Sequence, residues 1–159
     1  MSHADRAFPS RPLAQLHWTA FRLLGVPVIH HVIRFNIKSG VSDEQLDNLL
    51  NSLRRQAVAV PAVVSAHVGR AHGEDRAWGA NFILNDLDAY WQFITHPAHL
   101  ETDRLGWPLL DDFTMFDITD DTDPTIGDAI AGLHERRLRE FPELVDVVAP
   151  PRDPCQANA

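Results

Sequence analysis

The chain has 159 residues, 45% hydrophobic and 23% charged, which suits one globular domain with extensions rather than a disordered or membrane-spanning chain. Its formal charge of −8 and the lack of any basic run argue against a nucleic-acid partner, which would need a patch to neutralise phosphates. No apolar stretch approaches the roughly 20 residues that cross a bilayer, and Met1 to Pro12 shows no apolar signal core, so a cytoplasmic location is expected.

In chain order, Pro12 opens a helix expected to run to Leu24, with Leu13, Leu16, Ala20, Phe21 and Leu24 on one face and Gly25 as its stop. From Val28 to Lys38 the period becomes two. Ile29, His31, Ile33, Phe35 and Ile37 share an apolar strand face, and His30, Val32, Arg34, Asn36 and Lys38 share the other. Ser42 and Gln45 form a capping box for a helix with Leu46, Leu49, Leu50, Leu53 and Ala57 on one face and Asp, Asn, Ser and Arg residues opposite. Pro61 ends it by disfavouring helical geometry at Val60.

Val63–Val68 reads as a second strand, a polar loop follows, and Trp78–Leu84 reads as a third strand. Asp86 caps a helix bearing Leu87, Tyr90, Trp91, Phe93 and Ile94, and Pro97 suits the first position of another. Phe113–Ile118 is the fourth strand. Asp123-Pro124 is expected to start a last helix with Ile126, Ala129, Ile130, Leu133 and Leu138 inward and Glu135, Arg136, Arg137, Arg139 and Glu140 solvated. The tail after Pro142, with the lone Cys155, is expected to be loose.

The order β-α-β-β-α-β defines a ferredoxin-like α+β domain. The expected organisation is an N-terminal helical extension over 1–27, the domain over 28–119, and a C-terminal helix and tail over 120–159. Two helices cover only one sheet face, so the other must meet solvent, an extension or a second subunit.

His31-Val32-Ile33-Arg34-Phe35-Asn36-Ile37-Lys38, Pro61-Ala62-Val63-Val64-Ser65 with Val68-Gly69-Arg70, His96-Pro97-Ala98-His99, and Pro108-Leu109-Leu110 with Phe116-Asp117 together resemble the stress-responsive A/B-barrel, or Dabb, family over about residues 29–119. That resemblance implies a homodimeric α+β barrel. The family holds plant and microbial stress proteins and a plant polyketide cyclase that forms olivetolic acid by aldol condensation without metal or organic cofactor; members and relatives recur in bacterial natural-product biosynthesis. The cyclase's catalytic histidine resembles His99 and its second pocket histidine resembles His31. Its catalytic tyrosine is replaced here by Phe93, and Tyr90, one turn earlier on roughly the same face, is the candidate substitute.

The residues support a related chemistry. With Pro97 at the first helical position, His96 is the cap and His99 lies near the positive end of the helix, which favours a neutral imidazole. His99 is the expected general base, with His31 or Tyr90 donating to an enolate oxygen. Ile33, Phe35, Leu50, Phe93, His96 and Trp107 are the expected substrate-binding residues. His31 also reads as a satisfied core histidine, and His96 as a purely structural cap. His96 and His99 with Glu101 or Asp103 make only a weak metal set, so no metal and no cofactor is expected. His67 and His72 are expected to be exposed on or near a loop, and Arg34 and Asn36 to line a subunit contact.

The leading expectation is a cofactor-independent cyclase, lyase or isomerase acting on a small, hydrophobic, carbonyl-rich substrate. The alternatives are a stress-related dimer that holds a hydrophobic ligand without turnover, and a non-catalytic partner of a biosynthetic enzyme. Gly-rich phosphate loops, Cys-x-x-Cys pairs and serine elbows are absent from the sequence.

Overall fold

A computed structural model describes residues 27–73 and 75–148 of the chain. The expected helix at 12–24 and Cys155 lie outside the described residues. The elements are β1 (Ile29–Ile37), α1 (Asp43–Ala59), β2 (Val63–Arg70), β3 (Trp78–Leu84), α2 (Leu87–Thr95), α3 (Pro97–Gly106), a 3-10 turn (Trp107–Leu109), β4 (Leu110–Thr119), α4 (Ile126–Glu140), a second 3-10 turn (Pro142–Leu144) and α5 (Val145–Val148).

The strands form one antiparallel sheet of order β2-β3-β1-β4. The period-two pattern of β1 explains its central place. Ile29, His31 and Phe35 are buried against the helices, where a one-residue slip would expose all of them. Register then aligns Ala66, Phe82, His31 and Asp117 in one row across the four strands. Leu49, Leu50 and Leu53 of α1 and Tyr90, Phe93 and Ile94 of α2 close the core over Phe35, Phe82 and Leu84.

Both arms of the capping box form: Gln45 N donates to Ser42 Oγ at 3.2 Å, and Ser42 N donates to Gln45 Oε1 at 3.0 Å. Asp86 Oδ1 accepts from Ala89 N at 2.7 Å, and His96 Nδ1 accepts from Ala98 N at 3.1 Å, so His96 is the cap of α3. Helix α3 lies against α1 through the Ser52 and Thr102 hydroxyls, 2.7 Å apart, and Gly106 makes the close approach possible. A Cβ at Gly106 would stand 3.0 Å from Leu49 Cδ1.

Several expectations are corrected. Ser52, placed on the solvated face of α1, is buried because the Thr102 hydroxyl satisfies it. Helix α4 begins at Ile126 rather than Pro124, since Asp123 Oδ1 is occupied by Thr125 N and Oγ1 in a tight turn that precedes the first helical residue. His67 lies within β2, as the Val63–Val68 strand implies, and is exposed as expected. Asn36, expected at a subunit contact on the other face of β1, also bonds Asp75 O and Ala77 N within the chain, which fastens the β2–β3 connection and leaves that expectation standing. The segment after Pro142 is not loose as far as Val148. Leu144 is fully buried, and Glu143 pairs with Arg104 at 3.1 Å. Among the described residues no helix is long and apolar enough to cross a membrane.

Candidate active site

Between the helix-covered face of the sheet and α1, α3 and α4 lies a cavity of about 310 Å³. That is the lower end of the range for small-molecule sites. Its walls are mainly apolar, with Ile33, Phe35, Leu53, Phe82 and Phe113 among them, while His31, His99, His134, Gln56, Asp103 and Arg137 supply polar groups.

His31 reaches the cavity from the middle of β1, because an odd-numbered position on that strand faces the helices. Its cross-strand neighbour Asp117 stands on the same face, and His31 Nδ1–H donates to Asp117 Oδ1 at 2.9 Å. The Tyr90 hydroxyl sits 2.9 Å from His31 Nδ1, 3.2 Å from Asp117 Oδ2 and 2.8 Å from His134 Nε2. One assignment satisfies this group: Tyr90 donates to Asp117 and accepts from His134 Nε2–H. With Nδ1 occupied, Nε2 is the His31 nitrogen left to the cavity.

Tyr90 is fully buried and does not line the cavity. Burial first, then the charge of Asp117 and its hydrogen bond, push the phenol's pKa far up and keep it neutral. It stands behind two imidazoles as their brace, with its hydroxyl bonded to His31, Asp117 and His134. The Phe93 ring meets the His99 ring edge-on at 4.5 Å and packs on Phe82 at 4.8 Å.

His99 enters from the first turn of α3, and its Nδ1–H donates to Gln56 Oε1 at 3.0 Å. Its Nε2 is 3.7 Å from Asp103 Oδ2, too far for a hydrogen bond. Burial first pushes the His99 pKa down to about 3; the Asp103 charge opposes this, and Arg137, His31 and His134 add to it. Burial also lowers that of His134. The expected neutrality of His99 therefore rests chiefly on desolvation, more than on the helix end.

This makes a prediction about stability. The unfolded chain protonates His99 near 6.5, whereas the folded chain resists protonation down to about 3. The contribution is fully present above about pH 6.5 and is lost progressively as pH falls to about 3. Urea midpoints measured at pH 7 and pH 4.5 should differ less for His99→Gln than for the natural chain. Equal differences would remove His99 from the account.

Of the expected substrate-binding residues, Ile33, Phe35 and Trp107 line the cavity, as do His31 and His99. Leu50, Phe93 and His96 do not: Leu50 and Phe93 are consumed by the core, and His96 by its capping bond. Among the described residues no group of three or more His, Cys, Asp or Glu side chains converges as a metal site.

The sequence reading passed over His134 and Arg137. Arg137, placed on a solvated face, is 6% exposed and pairs with Asp103. The signal was present: counted from Ile130, His134 and Arg137 fall at i+4 and i+7, inside the apolar stripe of α4. Asp117 and Gln56 were likewise unassigned. Asp117 is tied to His31 only by strand register, and Gln56 to His99 only by helix packing.

Taken together, the sheet order and one-sided helices define an α+β protein of the ferredoxin-like type. Residues 29–120 match the model of the stress responsive A/B barrel domain, and the chain belongs to that family. A dimeric ferredoxin-like protein of unknown function from Thermobifida fusca is 18% identical, with a TM-score of 0.53 over 59% of this chain and 92% of its own. A Dabb family protein from Mesorhizobium loti is 22% identical, with a TM-score of 0.52 over 58% of this chain and 95% of its own. The hydroxynitrile lyase of Passiflora edulis is 14% identical, with a TM-score of 0.55 over 60% of this chain and 95% of its own. No curated protein matches the chain. Helix α4, with His134, Arg137 and Leu138, lies beyond the matched segment.

Proposed function

We propose that this protein is a cofactor-independent acid–base enzyme of specialised, polyketide-like metabolism, which removes a proton beside a carbonyl of a small apolar substrate and so cyclises or isomerises it. The observation that carries this reading is the His31–Asp117 pair at the wall of an apolar cavity. A base must hold the proton it takes. Asp117, 2.9 Å from Nδ1, stabilises the imidazolium formed when His31 Nε2 accepts a proton, the arrangement that also makes histidine a base in hydrolytic triads.

His99 was the base expected from sequence. Burial makes it a poor proton holder, so its part becomes that of a neutral acceptor for a substrate O–H through Nε2. Because the Passiflora structure is named a lyase, a related transfer is within this reading: the base takes a hydroxyl proton, the oxygen becomes a carbonyl, and the adjacent carbon–carbon bond breaks with its electron pair on the leaving carbon.

The test needs no natural substrate. A panel of apolar 1,3-diketones in D2O is followed by NMR for deuterium uptake between the carbonyls. Uptake above the buffer rate that falls in both His31→Ala and, less steeply, His99→Ala supports the reading. Binding without uptake sinks it in favour of a ligand-holding protein.

The working unit in this reading is a homodimer, as the Thermobifida relative is described. The helix-free sheet face carries Ile118 at 57% exposure beside Val32 and Phe116. Sedimentation should return twice the 17.9 kDa chain mass, and Ile118→Glu should return it once. A monomeric natural chain would refute the dimer.

A further inference from the structure

Arg137 is a guanidinium 6% exposed at a cavity wall, and it spends one of its five N–H donors on protein. Nη2 donates to Asp103 Oδ2, whereas among the described residues Nε is buried without a partner and Nη1 bonds no protein acceptor. A cation this deep is costly unless its donors meet acceptors. Its field reaches the reaction groups: the protonation of Tyr90, His99 and His134 each carries a contribution from its charge.

The geometry points to Arg137 as the group that binds the oxyanion of the substrate, so that α4, outside the family's matched segment, completes the site. This rests on the enolising reaction proposed above and names its missing electrophile. His31 Nε2 takes the proton from carbon, the C–H electron pair moves into the carbonyl, and the oxygen that becomes negative lies against the Arg137 guanidinium. When carbon is reprotonated or forms its new bond, the pair returns and the oxyanion is discharged. The ligand class that follows is an apolar skeleton bearing one enolisable carbonyl at the polar end of the cavity. Neither His31 nor His99 serves as well, since each uses its Nδ1–H on protein and presents a lone pair. Tyr90 does not reach the cavity.

Asp103 is part of the arrangement. Alone, Arg137 would hold any anion tightly; shared with Asp103, it favours an oxygen that gains charge only during reaction.

The probe is 4-nitrophenol, whose ionised form is yellow and mimics an enolate, with its methyl ether 4-nitroanisole as the form that cannot ionise. The natural chain should hold the phenolate about tenfold more tightly than the phenol, which appears as yellow bound probe below the pH where free 4-nitrophenol ionises. Because Arg137→Gln alone strands the Asp103 carboxylate, the comparison variant is Asp103→Asn with Arg137→Gln, which removes both charges together and leaves a neutral amide at each position. In that variant the preference should fall to unity or below while 4-nitroanisole binds as before; Arg137→Lys should restore part of it. Probe bound as the neutral phenol, no binding by the natural chain, or a preference that survives the double substitution would each overturn the assignment. The readout needs no turnover, so phenolate preference without deuterium uptake would retain the oxyanion site and reject the proposed reaction.

Discussion

Removing the imidazole of His31 is expected to lower the rate of deuterium uptake from D2O by about 100- to 10 000-fold, the usual range for a positioned general base. The size follows from what is lost. His31 is 3% exposed, sits in the central strand and offers the cavity the nitrogen whose opposite face is braced by a carboxylate. In His31→Ala the Asp117 carboxylate still accepts from Tyr90, so the buried charge keeps a partner and the chain should fold. Circular dichroism and a urea titration alongside the rate would show this. Asp117→Asn leaves His31 in place but removes the charge that stabilises its imidazolium and presents an amide N–H that favours the wrong tautomer, and the same rate should fall with it. A rate unchanged in His31→Ala would take the base away from β1 altogether, whatever happens at His99.

The largest stability effect is expected at Asp103. Its carboxylate pairs with Arg137, and the two side chains are 17% and 8% exposed. Asp103→Ala leaves a guanidinium inside the protein with no acceptor among the described residues, because Nε and Nη1 have none there to begin with. Breaking one side of such a pair costs about 3–5 kcal/mol, since the penalty is the stranded charge rather than the lost contact. The urea midpoint should fall accordingly with little change in slope. Removing both charges, by Asp103→Asn with Arg137→Gln, should cost much less than Asp103→Ala. If the double substitution is as damaging as the single one, the pair holds α3 to α4 by shape rather than by charge.

Taken together, these expectations divide the site by the elements that carry it. The sheet supplies a braced imidazole, α1 and α3 supply a neutral one, and α4 supplies a cation balanced by Asp103. Tyr90 joins two of these parts from behind, which accounts for a fully buried hydroxyl with three polar neighbours.

The sequence by itself determined the elements between residues 29 and 119 from local signals, whereas the Asp123-Pro124 signal placed the start of α4 two residues early. The period-two face of residues 29–37, the Ser42–Gln45 box, the Asp86 and His96 caps and Pro97 at a helix start are each written in adjacent residues, and each forms. The same alternation put His31 on the helix side, and helix spacing put His99 one turn into α3. Only tertiary structure decided which partners those histidines have. Asp117 meets His31 because two strands 86 residues apart pair in one register, and Gln56 meets His99 because α1 packs on α3. Arg137 shows the limit most clearly. Its place in the apolar stripe of α4 was legible, but a charged residue in such a stripe reads as solvated until its acceptor is known. Asp103, 34 residues earlier, is that acceptor, and it reverses the meaning of Arg137 from surface charge to part of the site.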